Sequence, residues 1–154
     1  ASKVIPIIHS GNYSLGVNLT VRLVELATHF LGQSYDVDIL EAHHRHKIDA
    51  PSGTALMFAE AIESIRKKLV HQSPINQNAI STKENLHPNI HLHAIRGGDI
   101  VGEHEVSFFG NGETISIKHI AYDRINFATG TIHAAIWLAD QSAGLYDMQN
   151  VIKY

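Results

Sequence analysis

The chain has 154 residues and a formal net charge of −3, with 44% hydrophobic and 18% charged residues. This composition is typical of a single globular domain, and it excludes a disordered chain and a generally basic nucleic-acid-binding protein. The absence of cysteine excludes a disulfide scaffold or a thiolate metal site, and no apolar run approaches the ~20 residues of a membrane-spanning helix. We therefore expect a cytoplasmic protein with neither a membrane nor a nucleic acid as its partner.

The first part of the chain alternates strand and helix patterns. Residues 4–9 form a short apolar run that predicts a strand, and because it follows the first residue so closely we expect a cut inside a longer protein. Residues 15–31 are predicted as an amphipathic helix ended by Gly32, and residues 35–42 as a second strand. The predicted buried face of the helix is Leu19, Leu23, Leu26, Ala27, Phe30 and Leu31, and its polar face is Asn18, Arg22, Glu25 and His29.

A second helix is predicted to begin after Ser52, whose hydroxyl can cap its N-terminus, and to run to about residue 69. Residues 71–89 are polar and aperiodic, which predicts a long loop. The predicted buried residues of this helix are Leu56, Ala59, Ile62, Ile65 and Leu69.

The last part of the chain predicts consecutive strands and a closing helix. Strands are predicted over residues 91–96, 101–109 and 114–122, with an Asn-Gly pair favouring a tight hairpin turn between the last two. The closing helix is predicted over residues 124–139. Its predicted buried residues are Ala128, Ile132, Ala135 and Ile136. This order of elements predicts an α+β fold, in which helices pack on one face of a mixed sheet.

The segment EAHHRHKIDAPSGTA, residues 41–55, carries the clearest chemical signal. Three histidines, an arginine and a lysine occupy residues 43–47. Zinc sites use imidazole ligands, but adjacent histidines at a strand end point in opposite directions, and no HExxH motif accompanies them. We therefore predict no metal site. The alternatives are a solvated basic loop and an anion-binding site.

The residues after the basic cluster favour the anion-binding site. Pro51 makes a rigid turn, and Ser52-Gly53-Thr54 opens a helix whose first backbone N–H groups lack intrahelical partners. Such a terminus carries the positive end of the helix dipole and binds carboxylate or phosphate. Lys47 adds a fixed positive charge, and His43 or His44 can exchange a proton near neutral pH. We therefore predict an anion site combined with acid–base groups.

These motifs resemble those of one known enzyme family. The stretch EAHH, then Lys47, then DAPSGTA at residues 49–55, is similar to the signature of dihydrodipicolinate reductases, also called 4-hydroxy-tetrahydrodipicolinate reductases. Further matching stretches are residues 11–18, residues 96–104 and the block from Phe127 to Leu138. The resemblance covers essentially the whole chain but only part of the family's enzyme.

The resemblance implies a C-terminal domain separated from its nucleotide-binding domain. Residues 1–16 would be the hinge from a missing N-terminal Rossmann domain, and residues 17–154 the substrate-binding and tetramerisation domain. The chain has no GxGxxG motif, and the glycine spacing of residues 11–16 lacks the Lys-Ser/Thr pair of a P-loop. NADH or NADPH would be bound mainly by the missing domain, and this chain alone would be largely inactive.

By the same resemblance, the full enzyme is an NAD(P)H-dependent oxidoreductase of lysine and diaminopimelate biosynthesis. It would reduce a cyclic dicarboxylate to tetrahydrodipicolinate, and it would assemble as a homotetramer through the sheets of its subunits. The rival interpretation is a non-catalytic module that binds a small dicarboxylate. A GxGxxG strand–turn–helix encoded upstream in frame would favour the reductase.

The resemblance also implies roles for individual residues. His43 would be the catalytic acid–base group and Lys47 the proton donor. The substrate-binding residues would be His44, Ser52, Gly53 and Thr54. The residues that contact the nicotinamide end of the cofactor would be Ser10, Gly11, Asn12 and Tyr13.

Other polar residues have structural interpretations. Arg96 and His104 are expected to be structural or interfacial, Arg124 to be a surface or interdomain contact, and Trp137 to lie in the core. The histidines expected at the surface or in packing are His71, His87, His91, His93, His119 and His133.

Overall fold

A computed structural model describes residues 1–72 and 90–152 of the chain. In chain order its elements are β1 (Pro6–Ile8), α1 (Leu15–Leu31), β2 (Asp36–His43), α2 (Gly53–Gln72), β3 (Ile90–Arg96), β4 (Gly102–Phe109), β5 (Thr114–Ala121), α3 (Ile125–Ala139), β6 (Gly144–Tyr146) and α4 (Met148–Val151). The predicted loop over residues 71–89 falls mostly outside the described residues, as do His87 and the side chain of His71. Within the described ranges, no helix combines the length and apolar character needed to cross a bilayer.

Strand β2 lies inside a four-stranded sheet with the order β3-β2-β4-β5. It runs parallel to β3 and antiparallel to β4, and β5 pairs antiparallel with β4. Helices α1 and α2 pack on each other and contact the sheet, α1 at β5 and α2 at β2 and β4. The predicted α+β fold, with helices on one face of a mixed sheet, is therefore confirmed.

The core lies between this sheet and the two helices. Ile39 of β2, Phe108 of β4 and Phe58 of α2 belong to one buried cluster, and each is at most 1% exposed. Truncating a buried phenylalanine to alanine costs about 3–5 kcal/mol. Because strand side chains alternate between faces, the inward face of β2 continues from Ile39 to Glu41 and His43. The core therefore leads directly into the predicted site.

The buried face predicted for helix α1 is largely wrong. Its exposed members are Leu19 (53%), Leu23 (43%), Leu26 (56%) and Phe30 (78%). Only Ala27 and Leu31 of that face pack against the core. The helix buries a different side, because residues two apart in sequence lie about 200° apart around a helix. The buried side consists of Val17, Asn18, Thr20, Val21, Val24 and Thr28.

Asn18, expected on the polar face of α1, has a structural reason to be buried. Its side-chain amide donates to the carbonyl oxygens of Asn12 and Ser14, at 2.9 and 2.8 Å. A buried amide with both bonds made avoids the cost of an unsatisfied polar group. Asn18 therefore ties the first turn of α1 to the segment that precedes it.

Helix α2 follows its prediction more closely. Ala59 and Ile62 are fully buried, and Ile65 and Leu69 are half-buried. Leu56 is 39% exposed, so the first residue of the predicted face is wrong.

The buried face predicted for helix α3 is also wrong. Ile132 and Ile136 are 61% and 66% exposed, and the helix buries Gly130 and Ala134 instead. A Cβ on Gly130 would lie 1.8 Å from the carbonyl oxygen of Tyr13. The helix therefore packs against backbone, and only the smallest residues fit between them. The other predicted members, Ala128 and Ala135, are exposed.

The two ends of the described chain pack together. Strand β1, which the sequence predicts, pairs in parallel with β6, which it does not. Helix α3 contacts both β1 and α4. Trp137, expected in the core, is half-buried here, with its ring edge-on to Tyr146 at 5.2 Å between centroids.

Candidate active site

Glu41 is a fully buried carboxylate at the end of β2, 1% exposed. Arg96 of β3 donates to both of its oxygens, with Nη1 2.8 Å from Oε2 and Nη2 2.7 Å from Oε1. Nδ1 of His43 lies 2.5 Å from Oε2, and the backbone N–H of Ser52 donates to Oε1 at 3.1 Å. Burial raises the pKa of Glu41, but the hydrogen bonds from Arg96 and His43 outweigh it and hold the pKa below its ordinary value. The group is therefore an ionised, fully hydrogen-bonded carboxylate.

His43 shares the inward face of β2 with Glu41 and is 9% exposed. Burial lowers its pKa, the contact with Glu41 raises it, and the charges of Lys47 and Arg96 lower it again, so that the pKa lies below its ordinary value. The imidazole is therefore neutral at pH 7. Such a group is ready to accept a proton, as a general base must be.

Ser52 caps helix α2 as predicted, because its Oγ accepts from the backbone N–H of Ala55 at 3.2 Å. The same Oγ lies 3.0 Å from Nε2 of His104, and both residues are buried. Burial lowers the pKa of His104 to about 4, with a further contribution from His43. His104 is thus a neutral histidine that supports the helix start, which agrees with its structural interpretation.

The N-terminus of α2 presents open donors. Among the described residues, none accepts a hydrogen bond from the backbone N–H groups of Gly53 or Thr54. A Cβ on Gly53 would meet no atom within 4 Å, so the surface beside this residue is open. These groups are where a helix binds a carboxylate. Thr54 Oγ1 is held by Asn12 Nδ2, which donates to it at 3.1 Å.

Lys47 is not a free cation. Its Nζ donates to both oxygens of Asp49, each at 2.8 Å. The Lys47 ammonium holds the pKa of the Asp49 carboxyl below its ordinary value. Sequence reasoning treated Asp49 only as part of a turn, and it missed this pairing. The Lys47 ammonium is therefore already paired with a carboxylate of its own chain.

His44 lines a cavity that does not include the residues at the N-terminus of α2. Nη2 of Arg124 is 3.4 Å from Nε2 of His44, so Arg124, expected at the surface or between domains, faces a predicted substrate residue. The cavity has a volume of about 680 Å³. Its lining is His44, Arg45, His46, Gly98, Asp99, Val101 and Arg124. Three of these side chains are imidazole or guanidinium groups from residues 44–46, which favours an anionic occupant.

The segment from residue 10 to residue 13 is a hydrogen-bonded loop. Ser10 Oγ donates to the carbonyl oxygen of Asn12 at 3.0 Å, and the Tyr13 hydroxyl donates to the carbonyl oxygen of Ile8 at 3.3 Å. Within the described part of the chain, the backbone N–H groups of these four residues make no hydrogen bond. Ser10 and Gly11 also line a cavity of about 360 Å³. Among the described residues, this segment therefore offers backbone donors without partners, and two of its residues border a cavity.

The residues that sequence reasoning missed are Glu41 and Arg96 as one unit. The signal for Glu41 was its inward position in the alternation of β2, where a carboxylate requires a buried partner. Arg96 lies 55 residues away in the sequence, so only the pairing of β2 with β3 reveals it. Arg96 Nη2 also donates to the carbonyl oxygen of Asp49 at 2.8 Å, which is consistent with its structural interpretation.

The remaining histidines form no metal centre with the acidic residues. In residues 1–72 and 90–152, no three His, Asp or Glu side chains converge in a metal-binding arrangement. His91, His93 and His133 are exposed, as expected. His119 is half-buried, and burial lowers its pKa.

Comparison with known proteins places this site in a family. The sequence profile of the family described as "Dihydrodipicolinate reductase, C-terminus" matches residues 16–152. The chain belongs to this family. The reductase family was also the one that the motifs of residues 41–55 resemble, so that prediction is confirmed.

Curated relatives carry the name 4-hydroxy-tetrahydrodipicolinate reductase. The relative from Acinetobacter baylyi is 46% identical over 149 residues, and that from Pseudomonas fluorescens is 45% identical over 152 residues. These alignments cover 97% and 99% of this chain but 55% and 57% of the relatives. The chain thus spans about half the length of the curated reductases that it matches.

A solved reductase structure has the same fold. It is described as "Dipicolinate bound Dihydrodipicolinate reductase from Paenisporosarcina sp. TG-14", and it matches with a TM-score of 0.73 at 26% identity. The match covers 96% of this chain and 55% of that one.

Proposed function

We propose that this chain supplies the substrate-binding and acid–base groups of a 4-hydroxy-tetrahydrodipicolinate reductase. The complete enzyme is an NAD(P)H-dependent oxidoreductase that reduces a cyclic dicarboxylate to tetrahydrodipicolinate in lysine and diaminopimelate biosynthesis. Membership of the family supports this function. The observation that carries it is the neutral His43, joined through one buried carboxylate to the open N-terminus of α2.

A carboxylate of the substrate binds at the start of α2. The N–H groups of Gly53 and Thr54 and the positive end of the helix dipole stabilise it, and Ser52 fixes the terminus. His44 and Arg124 line a second cavity, where the Arg124 guanidinium supplies a positive charge. The dipicolinate bound to the Paenisporosarcina reductase is a planar dicarboxylate, which supports this substrate class.

His43 and Lys47 carry the acid–base chemistry. A bound nicotinamide would supply a hydride, and residues 10–13 would hold its carboxamide end through their backbone N–H groups. As negative charge develops toward the ring nitrogen of the substrate, the Lys47 ammonium stabilises it and donates a proton. Because His43 is neutral, a nitrogen of its imidazole ring can accept a proton and later return it.

We also propose a domain plan for the complete enzyme. Residues 1–16 form the hinge from a nucleotide-binding domain, and residues 17–154 form the substrate-binding and tetramerisation domain of a cytoplasmic homotetramer. The sheet face opposite α1 and α2 supports an assembly role. It exposes Leu40 (41%), Ile95 (49%) and Phe109 (43%), which alternate with the inward residues of their strands.

Calorimetric titration with pyridine-2,6-dicarboxylate tests the proposed site. We expect saturable binding to the chain, and binding weaker by about tenfold or more in Lys47→Ala, because a hydrogen bond to a charged group contributes roughly 1.5–3 kcal/mol. The matched control is Lys67→Ala, which removes an exposed lysine that pairs with Glu63 at 3.2 Å on α2. Equal affinity in Lys47→Ala and Lys67→Ala would contradict the assignment.

The rival function, a binding module without catalysis, predicts the same titration. An assay of the full-length protein distinguishes the two functions. In this assay, absorbance follows the oxidation of NADH and NADPH with the dihydrodipicolinate precursor as substrate. Oxidation that is lost in His43→Gln supports the reductase. Binding without oxidation of either cofactor supports the module.

A further inference from the structure

Glu41 connects three parts of the site that belong to different elements. It bonds His43 on its own strand, Arg96 on β3, and the backbone of Ser52 at the start of α2. Arg96 alone would neutralise its charge, because the two groups form a paired, bidentate contact. The contact with His43 is therefore not needed to balance the charge of Glu41.

That contact determines which ring nitrogen of His43 carries hydrogen. An ionised carboxylate only accepts hydrogen bonds, so Nδ1 of the neutral ring must be the donor and Nε2 the bare nitrogen. No described residue hydrogen-bonds Nε2. The neighbour on that side is Gly102, where a Cβ would lie 3.2 Å from Nε2. The glycine keeps that side of the ring free of a side chain.

We propose that Glu41 is the positioning residue of the acid–base site: it holds His43 in the Nδ1–H form and makes Nε2 the atom that exchanges protons with the substrate. The proposal rests on the proposed function and deepens it. The bond from Ser52 N–H to the same carboxylate sets the His43 ring relative to the anion-binding end of α2. One buried group thus couples proton transfer to carboxylate binding.

The charged and titratable groups around His43 come from every neighbouring element. They are Glu41 on β2, Lys47 after β2, Arg96 on β3 and His104 on β4, whose ring centroid is 5.0 Å from that of His43. Glu41 raises the pKa of His43, whereas burial, Lys47 and Arg96 lower it. Removing the Glu41 charge must therefore lower the pKa of His43 further.

Glu41→Gln tests the proposal without ligand. The single carbonyl oxygen of glutamine can replace Oε1 toward Nη2 of Arg96 and the N–H of Ser52, which leaves its NH₂ group in the place of Oε2, facing Nδ1 of His43 and Nη1 of Arg96. Because the glutamine NH₂ group and the Nδ1–H group of His43 would then both be donors, the His43 ring should switch to the Nε2–H form. Long-range ¹H–¹⁵N spectra of the histidine-labelled chain report the form directly, and His43→Gln assigns the signals.

The expected result is an Nδ1–H ring in the native chain, and an Nε2–H ring with a lower pKa in Glu41→Gln. The matched control is Asp38→Asn, which neutralises an acid of the same strand, 2.7 Å from Nδ1 of His91; it should leave the His43 signals unchanged. An Nε2–H ring in the native chain would overturn the proposal even if Glu41→Gln fails to fold. So would an unchanged His43 form and pKa in a folded Glu41→Gln.

Turnover in the full-length enzyme gives the second readout. With the wrong nitrogen bare, Glu41→Gln should lose about 10²-fold in kcat while KM stays within about twofold. A rise in KM with kcat unchanged would mean that Glu41 only supports the fold of the binding loop, and would overturn the positioning role. Since the spectra need no substrate, failure of dicarboxylate binding would count against the proposed function without touching the ring form of His43.

Discussion

The side-chain amide of Asn12 donates a 3.1 Å hydrogen bond to the hydroxyl of Thr54. Its other side-chain atom, Oδ1, accepts from the backbone N–H of Ser14 at 2.8 Å, one residue before α1 begins. One asparagine therefore joins the start of α1 to the start of α2. In the proposed function, it also links the cofactor-contacting segment to the carboxylate-binding end of α2.

Asn12 can be tested by two substitutions that separate folding from binding. Asn12→Ala removes both bonds and should lower the free energy of unfolding by about 1–3 kcal/mol. Asn12→Asp keeps an acceptor for Ser14 N–H and lets the Thr54 hydroxyl donate, so stability should stay within about 1 kcal/mol. Its negative charge should nonetheless weaken binding of pyridine-2,6-dicarboxylate by on the order of tenfold. Urea denaturation and calorimetry measure the two effects, and full affinity in a folded Asn12→Asp would contradict the link.

Asp49 should compete with the substrate for Lys47. Because both Asp49 oxygens already bind the ammonium, a ligand carboxylate must compete with them for its N–H donors. Asp49→Asn should therefore bind pyridine-2,6-dicarboxylate more tightly, by on the order of threefold at low salt. Asp140→Asn is the control, since it raises the net charge equally from the end of α3. Equal affinities in these two variants would show that the pairing does not limit access.

The buried histidines predict a loss of stability in mild acid. His104 has a pKa of about 4 in the folded chain, below its ordinary value of 6.5, so the unfolded chain binds more protons between these values. The stability it contributes is complete above pH 6.5 and is lost as the pH falls toward 4. His104→Gln should reduce the slope of unfolding free energy against pH by roughly 1 kcal/mol per pH unit near pH 5. Urea denaturation between pH 4.5 and 6 measures it, and identical slopes would contradict the burial of a neutral ring.

Gly102 should tolerate no side chain. In Gly102→Ala the new Cβ would lie 3.2 Å from Nε2 of His43 and 3.8 Å from Cε1 of His104. Overpacking of this kind costs about 1–3 kcal/mol, and it should displace the His43 ring. Gly97→Ala is the control, because a Cβ there meets nothing within 4 Å. Equal stability and equal His43 spectra in both variants would show that the ring has room to move.

The fold was predictable where its signals are local. Alternation and an Asn-Gly turn predict the hairpin over residues 101–109 and 114–122, and the structure has strands Gly102–Phe109 and Thr114–Ala121. The buried face of α1 was not predictable, because this helix carries two regular stripes of apolar residues. Its leucines form one, and smaller residues such as Val17 and Val24 form the other. The structure buries the smaller residues, which allow α1 to approach α2 closely.

The site, like the fold, was predictable only where its signals are local in sequence. The cap at Ser52 is a local pattern, and it is confirmed. The roles of His43, Lys47 and the residues that bind substrate and cofactor remain predictions. The pairing of Glu41 with Arg96 was invisible in the sequence, since it depends on the register of two parallel strands, in which His43 lies opposite Arg96.

Because β1 pairs in parallel with β6, the folded structure at each end of the described chain depends on the other end. Among the described residues, β6 is the only strand beside β1, and the backbone N–H of His9 donates to the carbonyl oxygen of Tyr146 at 2.8 Å. Shortening the chain before Gly144 would thus release residues near the opposite terminus, including those next to Ser10. Damage near Gly144 would therefore alter the backbone around residues 6–9, far from the break in the sequence.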